Sequence, residues 1–529
     1  MLMFVIAEIL VRCHGYSQYR FEIPNGENIK HPCKPNLNWD GVGHEYSGGG
    51  GKRNRFGQDF SKYKTWSKEL CQMDSDGDGL SNGEELGDPQ CVWQKGNTPH
   101  RIVNITHPDC NVDDFKCDGI NEVDTKIKEV RFPQTIVPNK TTSYHCIYFE
   151  FPQDGDYHLI ASQPHIDNNF VTHHILVFGC EDSVLNDSSV RIGEPKKCGM
   201  YSASCQDIVA LWTVGYTGSC QHKDTGFRIG TKGYKVGLMQ IHWNNPENRN
   251  DYTDSSGLKL YYQPKHRPFD SGVLTVGQTF INIPPHQKEV VVNGVCSTNC
   301  TKKLFLKPFN VISAGNHMHY KSRQEKITLY RSNAAIKDIA YDEVYEYDSP
   351  VEHSFDKPVV VYPGDEFRIT CIYDSVNAAI TTEFGEATAD EMCFGFITYY
   401  PREALSSHRC LSWKSLQTCE LYSGKPVNGC NVKDMLDVAN PKTIAFAMKI
   451  MQNCQPFVNC TSKCLEAFRP YQDDPCFVGD VGYLLRSRSA RKIMTATIFL
   501  GIDSCAVERY KEKHPCNIDP NNDLSNTVK

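Results

Sequence analysis

The sequence predicts a mainly β protein: a small disulfide-stapled N-terminal module, two tandem antiparallel, jelly-roll-like β-sandwiches and a cysteine-rich C-terminal tail. Three observations lead there. The 529 residues exceed what one hydrophobic core organises and suit three or four domains. The 24 cysteines, mostly far apart in the chain, would be a liability in a reducing compartment and read as disulfides made during secretion. From about residue 120 the chain is made of short β-branched and aromatic runs bounded by Gly, Pro and Asn, such as "HCIYFEF", "GLMQIHW" and "FRITCIY".

The elements follow in order. Residues 1–15, opening "MLMFVIAEIL", read as a signal peptide cleaved near Gly15. Cleavage would remove Cys13 and leave an odd number of cysteines, so one stays free or links to another chain as a disulfide-bonded oligomer. Residues 16–112 form the Gly-, Asn- and Asp-rich module, where "GGGGKRNRFGQDF" is expected to be irregular. The two sandwiches occupy 120–268 and 269–405, with a joint at "PKHRPFDS". The tail, 406–529, holds nine cysteines and one expected helix, "NPKTIAFAMKIMQNC", with Pro441 in its first turn.

Five glycosylation acceptors, Asn104, Asn139, Asn186, Asn299 and Asn459, agree with a secreted, extracellular or vesicle-lumen protein. The net charge of −7 and the lack of a basic block interleaved with aromatics argue against a nucleic-acid partner. Beyond the leader, no apolar run reaches the roughly 20 residues that span a bilayer.

"DSDGDGLSNGEE" fits a calcium loop in full, with Asp74, Asp76, Asp78, the Leu80 carbonyl, Asn82 and Glu85 as oxygen ligands and Gly79 at the sharp turn. The plain alternative is an Asp/Gly surface turn. Only "WSKEL" offers a flanking helix, so structural calcium is expected rather than a sensor. "YSQYRFEIPNG", "WDGVGHEYSGGGGKRNRFGQDF" and "LCQMDSDGDGLSNGEELGDPQCVW" resemble temptin, a small secreted mollusc pheromone protein, which implies a module that mediates contacts. The unpaired cysteine or this module is where a protein partner would attach.

"THHILVFGC" sets His173 beside His174 on an expected strand. Neighbouring strand residues point to opposite faces, so the two can share a metal only if the strand is kinked or they use different ring nitrogens. Taken alone, the pair reads as one buried and one surface histidine. His242 in "MQIHW" shares a face with Gln240. His317 and His319 in "HMHY" stand two apart, so both rings project together. Met392 in "EMCFGF" reads by default as core, yet its thioether would be a soft ligand that selects copper.

"VTHHILVFGC", "QIHWNNP", "HMHY" and "DEMCFGFITYYP", in this order, resemble the copper type II ascorbate-dependent monooxygenases over about 120–400. The resemblance implies one copper on His173, His174 and His242 for electron transfer, and a second on His317, His319 and Met392 for O2 and substrate, with ascorbate as reductant. Met392, His317, His319 and Gln240 are the catalytic candidates. The family's order implies disulfides Cys371–Cys393, Cys146–Cys198 and Cys180–Cys205, and pairs Cys296–Cys410 and Cys300–Cys464 into the tail.

The peptide-amidating branch carries an arginine two residues before its His-x-His pair and a tyrosine four after its methionine; here those positions are Gly315 and Phe396. Phe394 and Phe396 share the face of Met392, which suits a phenylethylamine-like or other hydrophobic small substrate. The competing readings are a non-enzymatic secreted signalling or adhesion protein with the β-domains as scaffold, and a copper carrier.

Overall fold

The computed structural model describes residues 17–509, apart from 32–33, 45–52, 110–116, 169, 200–203, 214–217, 346, 348–349, 422, 457–459, 490–492 and 506–507. The expected leader, Cys13 and Asn459 therefore lie outside the described residues. The chain divides into two units, one up to Leu411 and one from Ser412.

The N-terminal module packs Ile23, Ile29, Val42, Phe56, Leu70 and Leu86 into a small core and closes it with Cys71–Cys91. Part of "GGGGKRNRFGQDF" is regular, contrary to the expectation of an irregular stretch. Arg55–Tyr63 is a helix, because Asn54 accepts the Gly57 amide at 2.8 Å as an N-cap and Phe56 docks on the core. Gly57 inside it is required by close approach, since a Cβ there would lie 1.7 Å from the Gly43 carbonyl oxygen.

The first sandwich faces two antiparallel layers. One is Lys196–Lys197, Thr142–Glu150, Val236–Asn244, Thr172–Cys180 and Cys205–Thr213, in that order. The other runs through Thr225–Gly230, Asp156–His165, Gly257–Gln263 and Lys126–Arg131, with Phe269–Asp270 joining Thr225–Gly230 in parallel. Ile147, Ile175, Val177, Ile241 and Trp243 from one layer meet Leu159, Phe227, Leu258 and Leu260 from the other. Cys146–Cys198 and Cys180–Cys205 stitch the first layer, and Cys117–Cys220 fastens the incoming chain to the second, where Cys220 lies opposite Ala161.

The second sandwich sets Glu352–Val361, Phe309–His317, Cys393–Tyr400 and Gly272–Gln278 against Val290–Cys296, Glu366–Tyr373, Ser322–Arg331 and Ala334–Asp342. Cys371–Cys393 joins the two layers, and Cys296–Cys410 ties the end of this unit to the second layer. Between the sandwiches, Arg402 donates to Asp207 at 2.9 Å, and Tyr234 donates to the same carboxylate.

The unit from Ser412 is more helical than expected. Pro441–Asn453 is the anticipated helix, capped by Asn440, but Ser462–Phe468, Gly479–Ser489 and Ile493–Asp503 are helices as well. Phe446, Ile450, Phe468, Phe477, Leu484 and Ile502 form their shared core. The implied Cys300–Cys464 bond is corrected by the structure: Cys464 sits opposite the end of the 441–453 helix and bonds Cys454, while Cys300 is bonded elsewhere. Cys430–Cys476 and Cys460–Cys505 complete the staples of this unit, and all cysteines among the described residues are bonded.

Asn104, Asn139, Asn186 and Asn299 are exposed, and no helix of the described residues is long and apolar enough to cross a membrane. Proteolysis without reduction should yield Cys454 and Cys464 in one disulfide-linked peptide by mass spectrometry. Recovery of Cys300 with Cys464 instead would contradict the observed pairing.

Candidate metal centre

The adjacent histidines meet because the strand is bulged. His242 lies directly opposite His174, while the next residue, Trp243, lies opposite Thr172, so His173 is the extra residue in Thr172–Cys180. The bulge turns His173 toward the face of His174. Their Nδ1 atoms are 3.2 Å apart, and one nitrogen from each of His173, His174 and His242 lies within 4.8 Å of the others. Two imidazoles bound to a single ion at about 2.0 Å each bring their nitrogens to comparable separations. Tyr144, directly across from His242, stacks on its ring with centroids 4.5 Å apart.

The second pair sits at the end of Phe309–His317. His317 and His319 present rings at 88° with centroids 5.4 Å apart. The Asp390 carbonyl accepts from His319 Nδ1 at 3.0 Å, which leaves Nε2 as the lone-pair nitrogen. Glu391 accepts the backbone amides of His319 and Lys321, so the segment leading into Met392 is latched onto the His-x-His turn. Met392 is fully buried beside Tyr144 and Phe394.

Burial dominates the electrostatics. It pushes His317 down to about 3 and His319 to about 4, and it holds His174 and His242 well below the ordinary imidazole value. These four rings are neutral near pH 7. His174 Nε2, both nitrogens of His242, His317 Nε2 and His319 Nε2 have no hydrogen-bond partner. Buried acceptors and donors of this kind cost free energy unless something satisfies them, and a soft cation would. The residues present therefore fit copper.

A cavity of about 140 Å³ opens between the two sets, bordered by His173, His174 and His317. Its walls include Trp212, Phe227, Val273 and Phe396. Gln240 lies elsewhere: it is buried, donates to the Gly199 carbonyl at 2.9 Å and does not border the cavity. Sequence reasoning missed Tyr347, which stacks on His173 at 4.8 Å and edges His319 at 5.3 Å. No local pattern marks it, because one contact comes from the strand Thr172–Cys180 and the other from the turn after Phe309–His317, both far from it in sequence.

The acidic loop is preorganised. Asp74 accepts the amides of Gly77 and Gly79, Asp78 accepts that of Leu80, and oxygens of Asp74, Asp76 and Asp78 lie within 4.8 Å of one another. Gly79 takes φ +95°, as the sharp turn requires. A short helix, Asn82–Glu85, closes the loop and Lys68–Gln72 precedes it, so helices flank it on both sides. Asn82 turns inward, donating to Leu70 O and accepting from the Ser75 amide. Burial pushes Glu85 up to about 8, and its Oε2 has no partner.

The comparisons with known proteins now divide the chain. Residues 128–250 match the copper type II ascorbate-dependent monooxygenase N-terminal domain, 269–423 match its C-terminal domain, and 13–110 match the temptin C-terminal description. The chain belongs to the copper type II ascorbate-dependent monooxygenases. Among curated relatives, tyramine beta-hydroxylase of Caenorhabditis briggsae is 31% identical, over 54% of this chain and 53% of that protein. DBH-like monooxygenase protein 1 of Gallus gallus is also 31% identical, over 52% and 47%. Dopamine beta-hydroxylase of Canis lupus familiaris is 28% identical, over 53% and 46%. The chain thus spans about half the length of the curated relatives it matches.

Replacing His242 by Ala should lower the copper bound per chain, by elemental analysis of the purified protein. Met392→Ile, near in volume, should cost less than about 1.5 kcal/mol of stability while weakening Cu(I) retention against a chelator. Unchanged metal content in both variants would remove these residues from the ligand set. Calcium at 100 times its Kd should stabilise the full chain's N-terminal module by about 2.7 kcal/mol. That gain, seen as a raised first calorimetric transition, should vanish in Asp76→Asn.

Proposed function

We propose that this chain is a secreted copper- and ascorbate-dependent monooxygenase that hydroxylates a C–H bond of a phenylethylamine-like or other hydrophobic small molecule. The observation that carries the reading is that two clustered histidine sets reach one apolar cavity through His173, His174 and His317, with His174, His242, His317 and His319 held neutral by burial. In this reading His173, His174 and His242 hold one copper, and His317, His319 and Met392 the other. Copper reduced by ascorbate would supply one electron per ion, so two ions hold the pair consumed when O2 yields one oxygen atom to a C–H bond and one to water.

The chain's own residues do the rest. The Asp390 carbonyl fixes the His319 tautomer, and Glu391 anchors the turn that presents it. Trp212, Phe227 and Phe396 exclude water and offer ring faces to an aromatic guest. A cavity of about 140 Å³ is close to the volume that accepts a benzene-sized ring.

The same walls argue against a peptide ending in a carboxylate. Phe396 has no hydroxyl, Gly315 has no side chain, and no Lys or Arg is among the described residues lining the cavity. A carboxylate entering there would be desolvated without a partner, which costs several kcal/mol. The loop at Asp74, Asp76, Asp78 and Glu85, with the Leu80 carbonyl and Asn82, is read as a structural calcium site within a contact-making module.

Offered tyramine and a glycine-extended peptide together with copper and ascorbate, the protein should take up O2 in step with hydroxylation of the amine. Preferential hydroxylation of the peptide would overturn the substrate reading. Metal binding without substrate-stimulated uptake would favour a copper carrier.

A further inference from the structure

We propose that Glu352 is the residue that binds the substrate's cationic group, making the cavity selective for an ammonium borne on an aromatic molecule. This rests on the monooxygenase reading for what happens next to the substrate, but not for the binding itself.

Glu352 opens the edge strand Glu352–Val361, and its register partner on Phe309–His317 is Gly315. Gly315 is in turn opposite Phe396. Residues directly opposed across antiparallel strands project to the same face, so Glu352, Gly315 and Phe396 form one row, and all three border the cavity. Gly315 leaves the middle of that row open: a Cβ placed there would meet only the Val351 carbonyl oxygen, at 3.7 Å. The row is therefore a carboxylate, a gap and a phenyl ring. Strands lie about 4.8 Å apart, so Glu352 and Phe396, two strands apart, leave roughly 10 Å between their backbones, room for an arylalkylamine to lie over Gly315.

The charge pattern gives the row its sign. Among the described residues lining the cavity, Glu352 is the one carboxylate and there is no lysine or arginine. His174 and His317, which border it too, are held neutral by burial. Desolvation raises the Glu352 carboxyl above its ordinary value, and the hydrogen bond from the Ser313 hydroxyl works in the opposite direction, favouring the carboxylate and orienting it. His353, next in the chain, points to the opposite face of the strand and keeps its Nε2 2.9 Å from Asp342. Glu352 as a residue is exposed on its strand while it borders the cavity, so a cation can reach it from solvent and be held at the cavity wall. His317 stands two residues beyond Gly315 on the same face, so a guest held by Glu352 and Phe396 lies along the row that leads to it.

The test uses the full chain and its Glu352→Gln, Glu352→Asp and Glu352→Lys variants, with phenethylamine, 3-phenylpropan-1-ol and 3-phenylpropionate as probes. Calorimetric binding is measured first, without ascorbate. The native protein should bind phenethylamine at least tenfold more tightly than the alcohol. Glu352→Gln should abolish that preference with little change for the alcohol, Glu352→Asp should retain part of it, and Glu352→Lys should favour 3-phenylpropionate. Coupled O2 uptake should then show the phenethylamine KM raised about tenfold in Glu352→Gln. An amine preference that survives Glu352→Gln, no preference in the native protein, or equal loss for amine and alcohol would each overturn the assignment. Selective amine binding with no coupled uptake would uphold Glu352 and defeat the monooxygenase reading instead.

Discussion

Burying imidazole rings with bare nitrogens is the constraint on which the rest of this structure depends. Each such nitrogen gives up water and gains no partner in the chain, so the fold must hold the rings where an ion can complete them. The two rigid sandwiches do this. The bulge at His173 spends one ladder position to turn a second ring onto the face of His174 and His242. Cys371–Cys393 and the Glu391 latch set the stretch before Met392 against the His-x-His turn. The same desolvation that strips the rings of water keeps them neutral, which is the form in which imidazole donates to a metal.

Much of this was readable from residue order, because the relevant signals are local. Period two placed His317 with His319, and alternating runs located the sheets that carry them. Adjacent His173 and His174 posed a problem the pattern could not solve, since a bulge is decided by which residue faces which across the ladder. The helix at Arg55–Tyr63 was hidden by the glycines before it and by Gly57 within it, whose smallness serves contact with Gly43. Cys300 and Cys464 were misjudged because many pairings are open among the tail's cysteines, and the 441–453 helix delivers Cys454 to Cys464 locally. Tyr347 and Glu352 could not be found at all. Their importance comes from what distant strands set beside them.

The cavity also shows how specificity is written by omission. An arginine in place of Gly315 would project onto the row between Glu352 and Phe396 and pair with the carboxylate. The glycine leaves that carboxylate unspent and the ring face bare. The distinction between an acidic and a basic guest thus rests on a side chain that is not there, at a position paired in register with Glu352 on one side and Phe396 on the other.

The bond between Cys117 and Cys220 has a consequence for processing. Val123, just after Cys117, is fully solvent-exposed, in a run of turns that precedes the first sandwich strand at Lys126–Arg131. A protease cutting there would break the backbone between the N-terminal module and the sandwiches, yet the two pieces would travel together, tethered through sulfur. Release of the module after such a nick would then await a reductant, so two unrelated events, one hydrolytic and one redox, would have to coincide before the pieces part.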